Sequence, residues 1–424
     1  MTNDRSFSSR QGLRGLFFFA FVACTACCAG PTLQVKPERS AILKTQPSGD
    51  APEIERLPAG TRVSSIGDTD RYYQVRLADG RTGWSYKGNF LVLAETEPSV
   101  GTGTTTPEAL LDRRDLLKII VLDVEVGDST LIICPEEDGR RDVILIDTGE
   151  DDSDRIKDEL ARNGFSLTGR PITRFVITHY DSDHCGDAEE MVNLAQVIYD
   201  HGDNIKTNLK DKYLRIVSQP GVDRRKMTLD YVESFSGGVT VECVAVNQAT
   251  DFDRTIQPSP PEEDNPNSIA LIISWSGFDY FTGGDLTKTP EHSLSQCVKN
   301  CDVYHVDHHG SSATSSNLDF VKKLDPEVSI ASNGTRHGHP TKIVARRLID
   351  EIGSVFLQTN ANQDARAHQP DAQFVADDSF HEDDEMEDQE GALGTIKVIV
   401  DPNGAHYHVL MPGLTAGEVI HAIE

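Results

Sequence analysis

Thr178-His179-Tyr180-Asp181-Ser182-Asp183-His184-Cys185-Gly186 places two histidines and two aspartates at alternating positions directly after the apolar run Phe175-Val176-Ile177. A loop at the end of a strand can splay alternate side chains toward one point. Imidazole and carboxylate are the donors that hold Zn²⁺ or Mn²⁺. A solvated polar turn rarely carries both ligand types at this spacing, so the segment is taken as the centre of a metal site on a strand-rich scaffold.

Outward from this segment, the flanking sequence alternates buried strands with helical stretches. Lys118 to Val124, Val143 to Asp147 and Phe175 to Thr178 read as buried strands, and residues 153–164 as a helix. Further strands are expected at Val239 to Val246, Ser268 to Ser274, Asp302 to Val306 and Thr395 to Val400. Strands mixed with helices over this length indicate a layered α/β domain, 116–412. Residues 361–390 read as a polar, acidic loop inserted in it, and 413–424 as a C-terminal tail.

Ahead of this domain, residues 95–115 form a linker whose start is rich in Thr, Gly, Pro and Glu. Residues 31–94 carry short apolar runs separated by turn signals such as Asp79-Gly80, the pattern of a small all-β barrel. Trp84 reads as barrel core rather than as a ligand platform. Residues 1–30 have the order of a signal peptide or lipoprotein leader. Arg5, Arg10 and Arg14 precede the apolar run Leu16 to Ala23, and small residues with Cys24, Cys27 and Cys28 follow. The expected location is therefore outside the cytoplasm: periplasmic, lipid-anchored or extracellular. The apolar run is too short for a comfortable membrane span.

The 424 residues suit two or three domains, and 38% hydrophobic content is enough for packed cores. A formal charge of −28 disfavours tight, non-specific binding to nucleic acid. Five cysteines remain beyond the leader, an odd and sparse set that implies no disulfide framework. Cys297 and Cys301 are close enough in sequence to pair, or to remain as two thiols.

Three later segments also end on ligand-type residues: Phe281-Thr282-Gly283-Gly284-Asp285, His308-His309-Gly310-Ser311-Ser312 and Gly338-His339-Pro340. Together with Asp123 to Ser129, Ile146-Asp147-Thr148-Gly149, the His-x-Asp-x-Asp-His of 179–184 and Asn267-Ser268, this order resembles the metallo-β-lactamase superfamily. Within it, the resemblance is to the branch of the ComEC competence protein's hydrolase domain. The stretch Leu57 to Val63 and Asp79-Gly80-Arg81-Thr82-Gly83-Trp84 resembles bacterial SH3-like domains.

The resemblance implies an αββα sandwich preceded by a small all-β SH3-like barrel. It implies two divalent metal ions, zinc first and manganese as the alternative. His179 and Asp181 would serve one ion, Asp183 and His184 the other, with Asp285 between them and a further ligand from His308 or His309. Asp183 and His339 are the candidate catalytic residues. Asp147 is read as structural. His201, in Tyr199-Asp200-His201-Gly202, is a candidate for the superfamily's third-motif histidine, although the residues themselves read as a surface turn.

The expected function is an exported metal-dependent hydrolase, a phosphodiesterase acting through a metal-activated water. Three carboxylate ligands make the site harder than a lactamase site and favour phosphoesters. The alternatives are a nuclease and a non-catalytic cell-wall binding protein. The expected partners are a phosphoester substrate, including a cell-envelope polymer, the cell wall through the barrel, and the membrane only through a lipid anchor.

Overall fold

A computed structural model describes residues 32–36, 40–48, 51–58, 60–69, 71–77, 81–93, 110–151, 153–202, 208–260, 262–335, 337–377, 394–402, 406–411 and 420–423. The leader 1–30, most of the linker and the most acidic part of the insertion lie outside these residues. Among the described residues, no helix is long and apolar enough to cross a membrane.

The first unit is a single curled sheet of seven strands. They are β1 Thr32–Val35, β2 Ala41–Lys44, β3 Glu53–Leu57, β4 Arg62–Asp68, β5 Tyr72–Arg76, β6 Thr82–Tyr86 and β7 Phe90–Leu93. Their order is β3-β2-β6-β5-β4-β1-β7. Period-two alternation sends Leu33, Val35, Leu43, Val63, Val75 and Phe90 to one buried face. Trp84 is not in that core. Its neighbours Gly83 and Ser85 take the inward positions on β6, so the same alternation turns Trp84 outward, where it is half-buried. This unit touches the next one. The Tyr86 hydroxyl donates to the Ile352 carbonyl at 2.9 Å, and Gly88 packs on Gly353.

The larger domain starts with β8 Leu117–Val121, β9 Thr130–Ile133, β10 Val143–Ile146, β11 Ile172–Val176, β12 Ala195–Asp200 and β13 Arg224–Lys226. A second run follows: β14 Val232–Ser234, β15 Thr240–Val246, β16 Ala249–Thr250, β17 Ala270–Trp275, β18 Phe278–Thr282, β19 Val303–His305, β20 Val328–Ala331, β21 Val355–Asn360 and β22 Val375–Asp377. The chain then returns as β23 Ile396–Val400, β24 His406–Leu410 and β25 Ile420–Ile423. The first sheet runs β13-β12-β11-β10-β9-β8-β23-β24-β25. The second runs β14-β15-β17-β18-β19-β20-β21-β22, with β16 on β15.

Both faces of these sheets are covered, which is why the strands read as continuous apolar runs. Ile119 and Val121 of β8 meet Val241, Leu271, Val303 and Ile330 between the sheets. The intervening Ile120 faces the opposite way, toward Ile156 and Leu160 of the helix Ser153–Arg162. On the far side, Ile272 and Phe281 pack against Leu294, Phe320, Val344 and Leu348 of the outer helices. The order of layers is helix, sheet, sheet, helix: the α/β sandwich that the sequence implied.

Several expectations change here. The first part of the acidic insertion is ordered, because Val375–Asp377 pairs in parallel with β21. The presumed C-terminal tail contributes β25, antiparallel to β24. Of the two outcomes left open for Cys297 and Cys301, the structure has the second: both are free thiols, one exposed and one buried.

Candidate metal centre

The site lies where the carboxyl ends of β11, β18, β19 and β20 meet. The last three are parallel neighbours, so their exit loops emerge on one edge. Open α/β sheets place their sites at such carboxyl ends. After β11, the chain turns at Thr178, and Asp147 holds that turn. Its carboxylate accepts the Thr178 amide at 2.7 Å and the Thr178 hydroxyl at 2.6 Å, and faces His184 Nδ1 at 2.9 Å. Asp147 thus fixes the loop, the role expected for it.

Gly127 makes close packing possible on the other flank. Its φ is +111°, and a Cβ there would lie 1.9 Å from the Asp183 carbonyl oxygen. The second sheet delivers its share through Gly284, also at positive φ, and through His308 and His309, both at φ 51°. Two successive non-glycine residues in the left-handed region represent stored strain of order 1–3 kcal/mol each.

Asp285 is the centre of the arrangement. Its Oδ2 lies 3.9 Å from His179 Nε2 and 3.3 Å from His308 Nε2. Its Oδ1 lies 3.1 Å from His184 Nε2 and 3.5 Å from His309 Nε2. Asp181 approaches His179 Nε2 at 3.7 Å, and Asp183 approaches His309 Nε2 at 3.3 Å. Each oxygen of Asp285 therefore faces its own pair of imidazoles, His179 and His308 at Oδ2 and His184 and His309 at Oδ1, with Asp181 beside His179 and Asp183 beside His309. Both histidines of the 308–309 pair reach the cluster, one on each side.

The imidazoles share one design. Their Nδ1 atoms meet protein partners: Thr178 Oγ1 at 3.2 Å for His179, Asp147 for His184, Thr314 Oγ1 at 2.9 Å for His308, and the Ser332 carbonyl at 3.2 Å for His309. Their Nε2 atoms turn inward. Those of His179, His184 and His309, with Asp285 Oδ1, are buried and make no hydrogen bond. Buried polar atoms normally find partners. Lone pairs of mixed imidazole and carboxylate type, aimed at common points, are the donor set of a divalent metal. His179, His184 and Asp285 can converge on one point, and Asp183, His184 and His309 on another. Burial alone would push the Asp285 carboxyl up, yet His184, His309 and His308 hold it well below the usual carboxylate range. Asp183 is likewise held low against burial by His184 and His309.

His339 is half-buried on the wall of a cleft of about 190 Å³ that also exposes Asp181, Asp183, Asn265, Asp285, His308, His309 and His337. Its Nδ1 is buried and makes no hydrogen bond, and its carbonyl accepts Asn362 Nδ2 at 2.9 Å. Burial, reinforced by His308 and His309, pushes its pKa down to about 4. His201 is corrected: it is buried rather than on a surface turn, with Nε2 3.2 Å from Asp264 and its ring centroid 4.6 Å from Tyr180. The structure does not bring it into the cluster around Asp285.

Three residues of the site were not singled out from the sequence. Asn265 donates to Asp285 Oδ2 at 2.8 Å. Asp128 lies behind His309, and His305 behind Asp128. Asp128 was visible as the end of the Asp123 to Ser129 motif. Asn265 stood two residues before Asn267-Ser268. His305 looked like one more strand residue.

The metallo-beta-lactamase superfamily model matches residues 122–332, and the bacterial SH3 domain model matches residues 39–90. Among solved structures, the chain is similar to the metallo-beta-lactamase fold protein YhfI from Bacillus subtilis, at 13% identity and TM-score 0.31, over 50% of this chain and 85% of that one. It is also similar to human tRNase Z, short form, at 14% identity and TM-score 0.30, covering 50% and 90%. A diphosphatase from the PhnP family matches at 15% identity and TM-score 0.30, covering 50% and 85%. No curated protein matches.

Proposed function

We propose that this chain, which carries a metallo-beta-lactamase superfamily domain behind a bacterial SH3 domain, is an exported phosphodiesterase of the ComEC-like branch. The coarser reading, a metal-dependent hydrolase, rests on the fold and on the converging donors. The finer one rests on a single observation: each oxygen of Asp285 faces its own pair of imidazoles, and Asp181 and Asp183 stand beside them, three carboxylates in all. So many anionic oxygen donors favour hard metals and phosphoryl substrates over a lactam.

In this reading His179, Asp181 and His308 would hold one ion and Asp183 and His309 the other, with Asp285 between them and His184 within reach of both points. Two such ions supply a nucleophile from water near neutral pH and charge to stabilise the attacked phosphoryl group. Asp183 borders the cleft and orients the attacking water as well as the metal. His339, fixed through Asn362, hydrogen-bonds the leaving oxygen from the cleft wall. Asn265, across the same cleft, steadies Asp285.

The leader's basic, apolar and small-residue order supports export, and the SH3 domain supports attachment to cell-wall material. The test is elemental analysis of the mature protein, with turnover of bis(4-nitrophenyl) phosphate, a lactam and single-stranded DNA. About two divalent ions per chain and preferred hydrolysis of the diester are expected. Folded protein without stoichiometric metal, or faster turnover of the lactam, refutes the reading; faster turnover of DNA moves it to the nuclease.

A further inference from the structure

Asp128 and His305 belong to no part of the reading above, yet they stand directly behind it. The turn that carries Asp128 is tied to the ligand loop: its amide donates to the Asp183 carbonyl at 3.0 Å, and its own carbonyl accepts the Gly149 amide at 2.9 Å. Its side chain points the other way, toward the second sheet. Oδ1 lies 3.5 Å from His309 Nδ1 and 3.5 Å from His305 Nε2. That oxygen is buried and makes no hydrogen bond.

The remaining contacts fix which ring nitrogen of His309 carries hydrogen. The Ser332 carbonyl, 3.2 Å from Nδ1, can only accept. Nδ1 must therefore carry hydrogen, so in the neutral ring the lone pair is on Nε2, facing Asp183 and Asp285. His305 cannot take part directly. Its Nε2 lies 2.8 Å from Ser332 Oγ, and its Nδ1 faces Thr130 and Thr282.

We infer that Asp128 is a positioning residue for His309: its negative charge beside Nδ1–H makes the imidazole a stronger donor at Nε2. His305 packs the carboxylate in place from the opposite side. Because Asp128 hangs on the backbone of the ligand loop, it also keeps the donors of the two sheets in register. The inference rests on the metal-site reading. It adds a carboxylate–histidine pair between the two sheets to match Asp147–His184 within the first. Partners of this kind, behind the ligands, are worth about 10–100-fold in metal affinity.

The test is Asp128→Asn, which keeps the shape and removes the charge. Zn²⁺ and Mn²⁺ affinities are measured by chelator competition, beside the denaturation midpoint of the metal-free chain. Affinity about 10–100-fold weaker, with the metal-free midpoint little changed, is the expected result. A folded variant that binds either metal within twofold of wild type overturns the inference. If wild type itself binds neither metal, the metal-site reading fails instead. Should Asp128→Asn not fold, Asp128→Ser is measured in the same way: affinity about 10–100-fold weaker supports the inference, and binding within twofold of wild type refutes it.

Discussion

Gly127→Ala is the sharpest perturbation the structure offers. The added Cβ would lie 1.9 Å from the Asp183 carbonyl oxygen, 2.7 Å from its carbonyl carbon and 2.9 Å from its Cβ. Carbon and oxygen settle at well over 3 Å, so one backbone must retreat by roughly 1 Å. Neither is a flexible side-chain tip. The Asp128 amide bonds that same carbonyl at 3.0 Å, and the neighbouring His184 carbonyl accepts the Thr148 amide at 2.9 Å. Overpacking of this kind costs about 1–3 kcal/mol. A φ of +111° adds backbone strain of order 1–3 kcal/mol for any residue with a Cβ. A loss of roughly 2–6 kcal/mol is therefore expected, read as the shift in urea midpoint at constant slope. The displacement falls on Asp183, beside His184, so activity should drop about 100-fold in whatever protein remains folded, the usual cost of misplacing a reacting geometry by 1 Å. A variant within about 0.5 kcal/mol of wild type, with unchanged turnover, would falsify the packing account of this turn.

Asp285→Ala should abolish diester hydrolysis and metal retention together while the SH3 unit stays folded; activity near wild type refutes the role given to Asp285. Deleting residues 32–93 should leave turnover of a small diester nearly intact and weaken attachment to cell-wall material, so lost turnover in a folded truncation would make the barrel part of the site. Tyr86→Phe removes the hydrogen bond to Ile352 and should cost about 1 kcal/mol of stability; no change in midpoint would mean the two units do not lean on each other there. Burial, with Arg141 and Lys397 nearby, pushes the Lys118 pKa down to about 8 from 10.5. Between those values the unfolded chain holds a proton that the folded chain has released. Stability should therefore rise with pH across that window, relative to Lys118→Met. A flat difference between the two urea midpoints from pH 8 to 10 argues against it.

The larger fold was legible because its strands are covered on both faces and read as unbroken apolar runs. Val143–Ile146 could be recognised within a residue, and Ile172–Val176 by its last two residues. The ligand loop was legible because four donors alternate within it. What failed was information that sequence spacing does not carry. Trp84 needed its side of β6 to be known, and Gly83 and Ser85 settle that only once the barrel closes around them. His201 looked like a turn because nothing adjacent announced Asp264, whose carboxylate reaches it across the domain. The short strands Val375–Asp377 and Ile420–Ile423 exist by pairing, one with β21 and one with β24, rather than by their own pattern. Asp128 and Asn265 act on donors 20 or more residues away, so their neighbours in sequence said nothing of their partners.

The division of donors between the sheets accounts for where the chain holds its strain. The first sheet offers His179, Asp181, Asp183 and His184 from one loop; the second offers Asp285, His308 and His309 from two. Neither set is complete alone, so the site exists only where the sheets close on each other. The first loop is held by hydrogen bonds to the Asp147 and Asp264 carboxylates and to the backbones of Asp128, Thr148 and Gly149, at little conformational cost. The second must reverse direction straight after His305, which is committed to the interior. It does so through His308, His309 and Gly310, all at positive φ, above an Asp307 whose buried oxygens make no hydrogen bond. A turn with that much unfavourable geometry persists only if its surroundings over-determine it. Thr314 on His308, the Ser332 carbonyl on His309 and the Tyr304 hydroxyl on the Asp307 amide supply that determination. Two histidines on adjacent residues would otherwise diverge; here the strained backbone aims both at Asp285, one for each oxygen.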